Sequence, residues 1–100
     1  MKINMNEDTA IHIINDLQAD TNGSIRFFVR LGGCSTVQDG FSLGITKDSP
    51  KHPAAELTIQ KQKFFIEEED EWFFDGCDLT VSVKNGEIQY EFHNENNGNS

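Results

Sequence analysis

Cysteine, proline and basic side chains are all scarce in this sequence, and each scarcity excludes something. Its two cysteines, Cys34 and Cys77, are too few for a disulfide framework and make no Cys-x-x-Cys pair. A structural zinc site takes four Cys or His ligands at close spacing, whereas here His12, His52, His93 and the two cysteines are scattered along the chain. Eight Lys and Arg face seventeen Asp and Glu, a formal net charge of −9. Nucleic-acid phosphates require the opposite balance, and an anionic membrane surface would repel this chain. Cations or a basic protein are the attractions its charge favours.

Also missing are an apolar run of membrane-spanning length and the charged-then-apolar layout of a signal peptide. The expected location is therefore the cytoplasm, with both thiols reduced. There is no G-x-x-x-x-G-K-S/T loop, no G-x-G-x-x-G fingerprint and no G-x-S-x-G elbow, so neither nucleotide chemistry nor a Ser hydrolase is indicated. Both prolines, Pro50 and Pro53, fall in one stretch, which reads as a loop over 47–55.

What is present suffices for a single domain. At 100 residues, 36% of them hydrophobic and eight of them Phe, the chain can build one modest core. Lys2-Ile3-Asn4-Met5 reads as a short strand. Asn6 is a good N-cap, Glu7 and Asp8 suit the positive end of a helix dipole, and Ala10, Ile14 and Leu17 recur at helical spacing. A helix over 7–18 follows, carrying His12 as a surface or half-buried residue.

From Ser24 the period is two. Ile25, Phe27, Val29 and Leu31 point to a core, while Arg26, Phe28 and Arg30 make a second face that is either solvated or a partner contact. Phe41, Leu43 and Ile45 continue as the inward face of the next strand. Leu57-Thr58-Ile59 and Lys63-Phe64-Phe65-Ile66 read as strands around a polar turn. Glu67-Glu68-Glu69-Asp70-Glu71 reads as a solvated acidic face. It leads into Trp72-Phe73-Phe74 and Asp75-Gly76 as one or two helical turns with a left-handed cap. Leu79, Val81 and Val83 alternate, Asn85-Gly86 is a strong hairpin signal, and Ile88, Tyr90 and Phe92 return. The predicted core gathers Phe27, Val29, Leu31, Phe41, Leu43, Ile45, Leu79, Val81, Tyr90 and Phe92 beneath Ile14 and Leu17 of the helix. Residues 1–93 form the expected domain, and 94–100 a polar tail with little to bury. The fold class is α+β, mostly β: about seven short, largely antiparallel strands, an N-terminal helix and one short late helix.

The stretch Leu31-Gly32-Gly33-Cys34-Ser35-Thr36 carries the chemistry the chain offers. Two glycines permit a sharp bend that presents a thiol beside hydroxyl and N–H donors, an arrangement that favours a thiolate. The same residues also fit a hairpin loop with an ordinary small cysteine.

A helix, then a strand ending in Gly33-Cys34-Ser35, then Phe41-Ser42-Leu43 resembles the HesB/IscA-like iron–sulfur cluster biosynthesis domain. The later block from Phe64-Phe65-Ile66 to Phe74-Asp75-Gly76-Cys77-Asp78-Leu79 is similar to that family's second block. The resemblance spans residues 2–92 and implies a non-enzymatic carrier or scaffold. Such a protein would bind iron or an iron–sulfur cluster and meet assembly or recipient proteins as a monomer or homodimer. The family pairs a cysteine at the position of Cys34 with a C-terminal Cys-Gly-Cys. Here the segment after Phe92 has no cysteine, and Cys77 stands where the family pattern has no ligand. Cys34 is thus the one ligand carried over, with Cys77 and His93 as further candidates for metal. A cluster generally takes four thiolates, which two copies of this chain would supply and one would not. Two other readings remain: a metal-free protein-binding module on the same fold, using the surface around Arg26, Phe28 and Arg30, and a thiol redox protein based on Cys34 paired with Cys77.

Overall fold

The computed structural model describes residues 1–20, 22–31 and 41–93. Cys34 with its Gly-Gly bend, the Leu31 side chain and the tail at 94–100 lie outside the described residues.

Strand β1 (Ile3–Asn4) leads into helix α1 (Glu7–Leu17). Asn6 caps the helix as its residue type predicts, Oδ1 accepting from the Thr9 N–H at 2.9 Å. The helix ends one residue earlier than expected. Gln18 takes a left-handed conformation at φ 52, and the Ala19 N–H reaches back to the Ile14 carbonyl at 3.0 Å, closing the last turn without glycine.

Strands β2 (Ser24–Leu31), β3 (Phe41–Lys47), β4 (Pro53–Ile59) and β5 (Gln62–Glu67) form a sheet in the order β3-β2-β5-β4. β2 runs antiparallel to β3 and parallel to β5. A 3₁₀ turn (Glu68–Asp70) and a one-turn helix α2 (Glu71–Phe74) lead to β6 (Asp78–Lys84) and β7 (Glu87–His93). β1, β6 and β7 make a second sheet, with β1 parallel to β6 and β7 antiparallel to it. The α+β, strand-rich class is therefore observed, with seven strands, one longer helix and one short late one among the described residues.

Two hairpins turn on paired positive φ values. At Asn85 (55) and Gly86 (80) the residue types announce it, whereas at Gln60 (54) and Lys61 (61) neither residue is a usual left-handed former. Pro53 opens β4 instead of lying in a loop. β4 is an edge strand, and a first-residue proline on an edge gives up no ladder hydrogen bond. The expected loop over 47–55 shrinks accordingly to the residues between Lys47 and Pro53.

One face of each sheet and the inner side of α1 share a core. Ile25, Phe27, Leu43, Phe64 and Ile66 meet Leu79, Val81, Ala10 and Ile13 there. Phe27 stacks on Phe64 at 6.2 Å and meets Tyr90 edge-on at 6.5 Å, joining the two sheets. Of the expected core residues, Phe27, Leu43, Leu79 and Val81 are buried, and Val29, Phe41, Ile45, Tyr90, Phe92, Ile14 and Leu17 pack against them half-buried. The expected core lacked β5. Flanked by β2 and β4, this strand is buried on both faces, with Phe64 and Ile66 on the core side and Phe65 on the other.

Candidate functional site

The outer face of the four-stranded sheet holds a network of charges around Arg26. Arg26 of β2 lies directly across from Phe65 of β5, and Glu67 follows two residues later on the same face. Arg26 is folded into an ion network and is mostly withdrawn from solvent. Its Nη2 donates to Asp70 Oδ2 at 2.8 Å and lies 3.4 Å from Glu69 Oε2, while Nη1 sits 3.6 Å from Asp48 Oδ2. Burial pushes the guanidinium pKa down, but the bonds to Asp70 and Glu69 outweigh it and hold the charge more firmly than usual.

Glu67 is buried, and its carboxylate accepts from two successive backbone N–H groups. Oε2 takes the Lys51 N–H at 2.8 Å and Oε1 the His52 N–H at 2.7 Å. Burial raises the Glu67 pKa, and these two donors with the nearby Arg26 charge lower it further than burial raises it, so the net displacement is below the ordinary carboxylate value. The Glu68 N–H donates in turn to the His52 carbonyl at 2.8 Å, fixing the loop against the start of the 3₁₀ turn.

A cleft of about 380 Å³ is lined by Arg26, Asp48, Lys51, His52, Glu67, Glu68 and Glu69. Chemically it is a clamp. The arginine is already matched by three carboxylates, and among the described residues no thiol or hydroxyl lines the cleft to act as nucleophile. The sequence pattern alone predicts a solvated face for the acidic run. Only Glu68, Glu69 and Glu71 are exposed, whereas Glu67 and Asp70 are buried because Arg26 and the 51–52 backbone receive them.

The second face of β2 is accordingly no simple patch. Arg26 is engaged, Phe28 is half-buried with its ring over Gly44, and Arg30 is exposed. Beside the clamp, α2 projects an aromatic series. Phe73 and Phe74 are buried against Phe92, while Trp72 stands 60% exposed, edge-on to Phe41 at 5.4 Å.

Cys77 follows the left-handed pair Asp75 and Gly76, its N–H donating to the Phe74 carbonyl at 2.8 Å. Its thiol is half-buried, less enclosed than Phe73, Phe74 or Leu79 beside it in sequence. His93 is exposed at the end of β7, opposite Asp78, with Nε2 3.5 Å from Glu91 Oε1. Cys77 and His93 thus belong to the same end of the β6–β7 ladder. Among the described residues, no group of three His, Cys, Asp or Glu side chains is arranged to hold a metal ion. Nor, among those residues, is any helix long and apolar enough to cross a membrane.

The family model for iron–sulphur cluster biosynthesis matches residues 1–100. The chain belongs to that family. Its fold matches that of a structure solved as IscA with the [2Fe-2S] cluster: TM-score 0.53 over 94% of this chain and 83% of that one, at 18% identity. In sequence it is similar to a pyruvate dehydrogenase inhibitor from Bacillus subtilis (strain 168), 45% identical over 82 residues that cover 82% of this chain and 86% of that one. Two thiols per chain do not meet the four-thiolate need of an iron–sulfur cluster, so the donor set of one chain does not fit that group.

Proposed function

We propose that this protein is a non-enzymatic regulator that binds a pyruvate dehydrogenase enzyme and lowers its activity, using the HesB/IscA fold as a protein-binding module. The observation that carries this reading is the 45% identity, over most of both chains, to a protein named for that inhibition. The charged groups support it from another side. Arg26, Glu67 and Asp70 serve one another and the backbone, which suits a rigid recognition surface better than a reaction centre.

Cluster carriage through Cys34 is the second reading, favoured by family membership and by the Gly33-Cys34-Ser35 element. One experiment separates the two. The protein as purified, the same protein reconstituted anaerobically with iron and sulfide, and Cys34→Ser are each titrated into a pyruvate dehydrogenase assay. The regulator reading expects inhibition by the purified protein and by Cys34→Ser alike. It fails if no form inhibits, or if inhibition appears only after reconstitution together with visible cluster absorption.

A further inference from the structure

The exposed aromatic on α2 stands beside the clamp and takes no part in its ion network. Trp72 is 60% exposed, more so than any other large hydrophobic side chain among the described residues. It is not loose. Phe41 meets it edge-on at 5.4 Å and Phe73 at 5.8 Å, and Phe73 is itself anchored on Phe92 of β7 at 5.8 Å. The Arg26–Asp70 bond ties the preceding 3₁₀ turn to the sheet, so the indole is held from both sides along the chain. A rigid, half-supported tryptophan at a surface matches the residue type and order that dominate binding energy at interfaces.

Its surroundings state the partner's charge. Glu68, Glu69 and Glu71, all exposed, precede Trp72 in sequence, and the whole chain carries −9. An apolar anchor on an acidic segment complements a cavity lined by Lys and Arg, and it repels nucleic acid and anionic lipid.

We propose that Trp72, with the exposed Glu68 and Glu71 on the turns that lead into it, is the anchor of a docking surface for a partner protein whose cognate cavity is lined by Lys and Arg. The proposal deepens the regulatory reading above and rests on it for the partner's identity. The surface buries the indole of Trp72 on binding, while the two glutamates set association rate and salt dependence.

Trp72 is the single tryptophan of the chain, so its emission reports this surface directly. Two measurements use wild type, Trp72→Ala and the double variant E68Q/E71Q, with melting temperatures taken as a check on folding. The first is inhibition of pyruvate dehydrogenase at low and high ionic strength. Trp72→Ala is expected to weaken it at least about tenfold, and E68Q/E71Q to weaken it mainly at low salt. The second is Trp72 emission of wild type and E68Q/E71Q on adding poly-L-lysine, for which a saturable, salt-sensitive blue shift is expected in wild type and a smaller one in the double variant. If wild type inhibits, equal inhibition by folded Trp72→Ala overturns the surface and leaves the regulatory reading standing. If wild type does not inhibit, that reading falls and the emission decides: a saturable shift keeps the surface, and no shift, or the same shift in E68Q/E71Q, overturns it.

Discussion

Arg26 and Asp70, 44 residues apart in sequence, meet at 2.8 Å and pin the 3₁₀ turn to the outer face of the four-stranded sheet. Both side chains are mostly withdrawn from water, at 18% and 10% exposure, so each is a charge that needs its partner. Asp70→Asn should cost about 1–3 kcal/mol, since a charge-assisted bond is lost while Glu69 and Asp48 still neutralise the arginine. Arg26→Ala should cost more, because it strands Asp70 and removes a favourable charge from Glu67 together. Urea unfolding of both variants checks the order. If Arg26→Ala is the milder change, the network is not organised around the arginine.

Glu67 gives the fold an acid-side dependence on pH. Its folded pKa lies below the ordinary carboxylate value, so on acidification the unfolded chain takes up the proton first. The associated stability is complete above the unfolded pKa of roughly 4.3, and it is lost as pH falls through the lower folded value. Glu67→Gln removes the charge and turns an amide N–H₂ toward one of the Lys51 and His52 N–H donors. Wild type should therefore exceed Glu67→Gln in stability most at pH 7, with the gap narrowing below about pH 4. Parallel stability curves across that range would remove Glu67 from the acid response.

Gly44 and Phe28 are matched across β2 and β3, where they are directly opposed. A Cβ built on Gly44 would stand 2.4 to 2.9 Å from three atoms of the Phe28 ring. Gly44→Ala should thus cost about 1–3 kcal/mol through overpacking. Pairing it with Phe28→Leu, which clears the ring, should recover part of that loss. A double-mutant cycle with no coupling would show that the cost arises from the strand backbone and not from the ring.

The sequence was most legible where structure is local. Asn6, Asn85-Gly86 and the alternation in β2, β6 and β7 each act within a few residues, and each stands where the pattern placed it. Sequence reading failed where burial depends on distant partners. The run Phe64-Phe65-Ile66 shows that a strand is apolar, but β2 and β4 on its two flanks decide that both its faces are covered. Glu67 and Asp70 looked solvated for the same reason: the donors that draw them inward are Arg26 and the 51–52 backbone. The available signal was the spacing of an arginine on a strand against an acidic run that ends a neighbouring strand. The aromatic triplet after that run was legible as a short helix, yet only packing against Phe41 and Phe92 separates exposed Trp72 from buried Phe73 and Phe74.

Phe27 and Phe41 distinguish the centre of the core from its rim. Phe27 is fully enclosed, stacked on Phe64 and edge-on to Tyr90, whose phenol pKa burial pushes up to about 12. Removing its ring leaves a cavity between two sheets whose strands are held in register on both sides, so the site has little room to collapse. Phe27→Ala should cost about 3–5 kcal/mol. Phe41 is half-buried at the start of β3 and borders Trp72, which can settle into the space. Its truncation should cost clearly less, roughly 1–3 kcal/mol. Chemical denaturation of the two variants, with equal m-values as evidence that the unfolded state is unchanged, measures both. Equal losses would mean that the aromatic seam along Phe41, Phe73 and Phe92 carries as much of the core as the Phe27–Phe64 stack does.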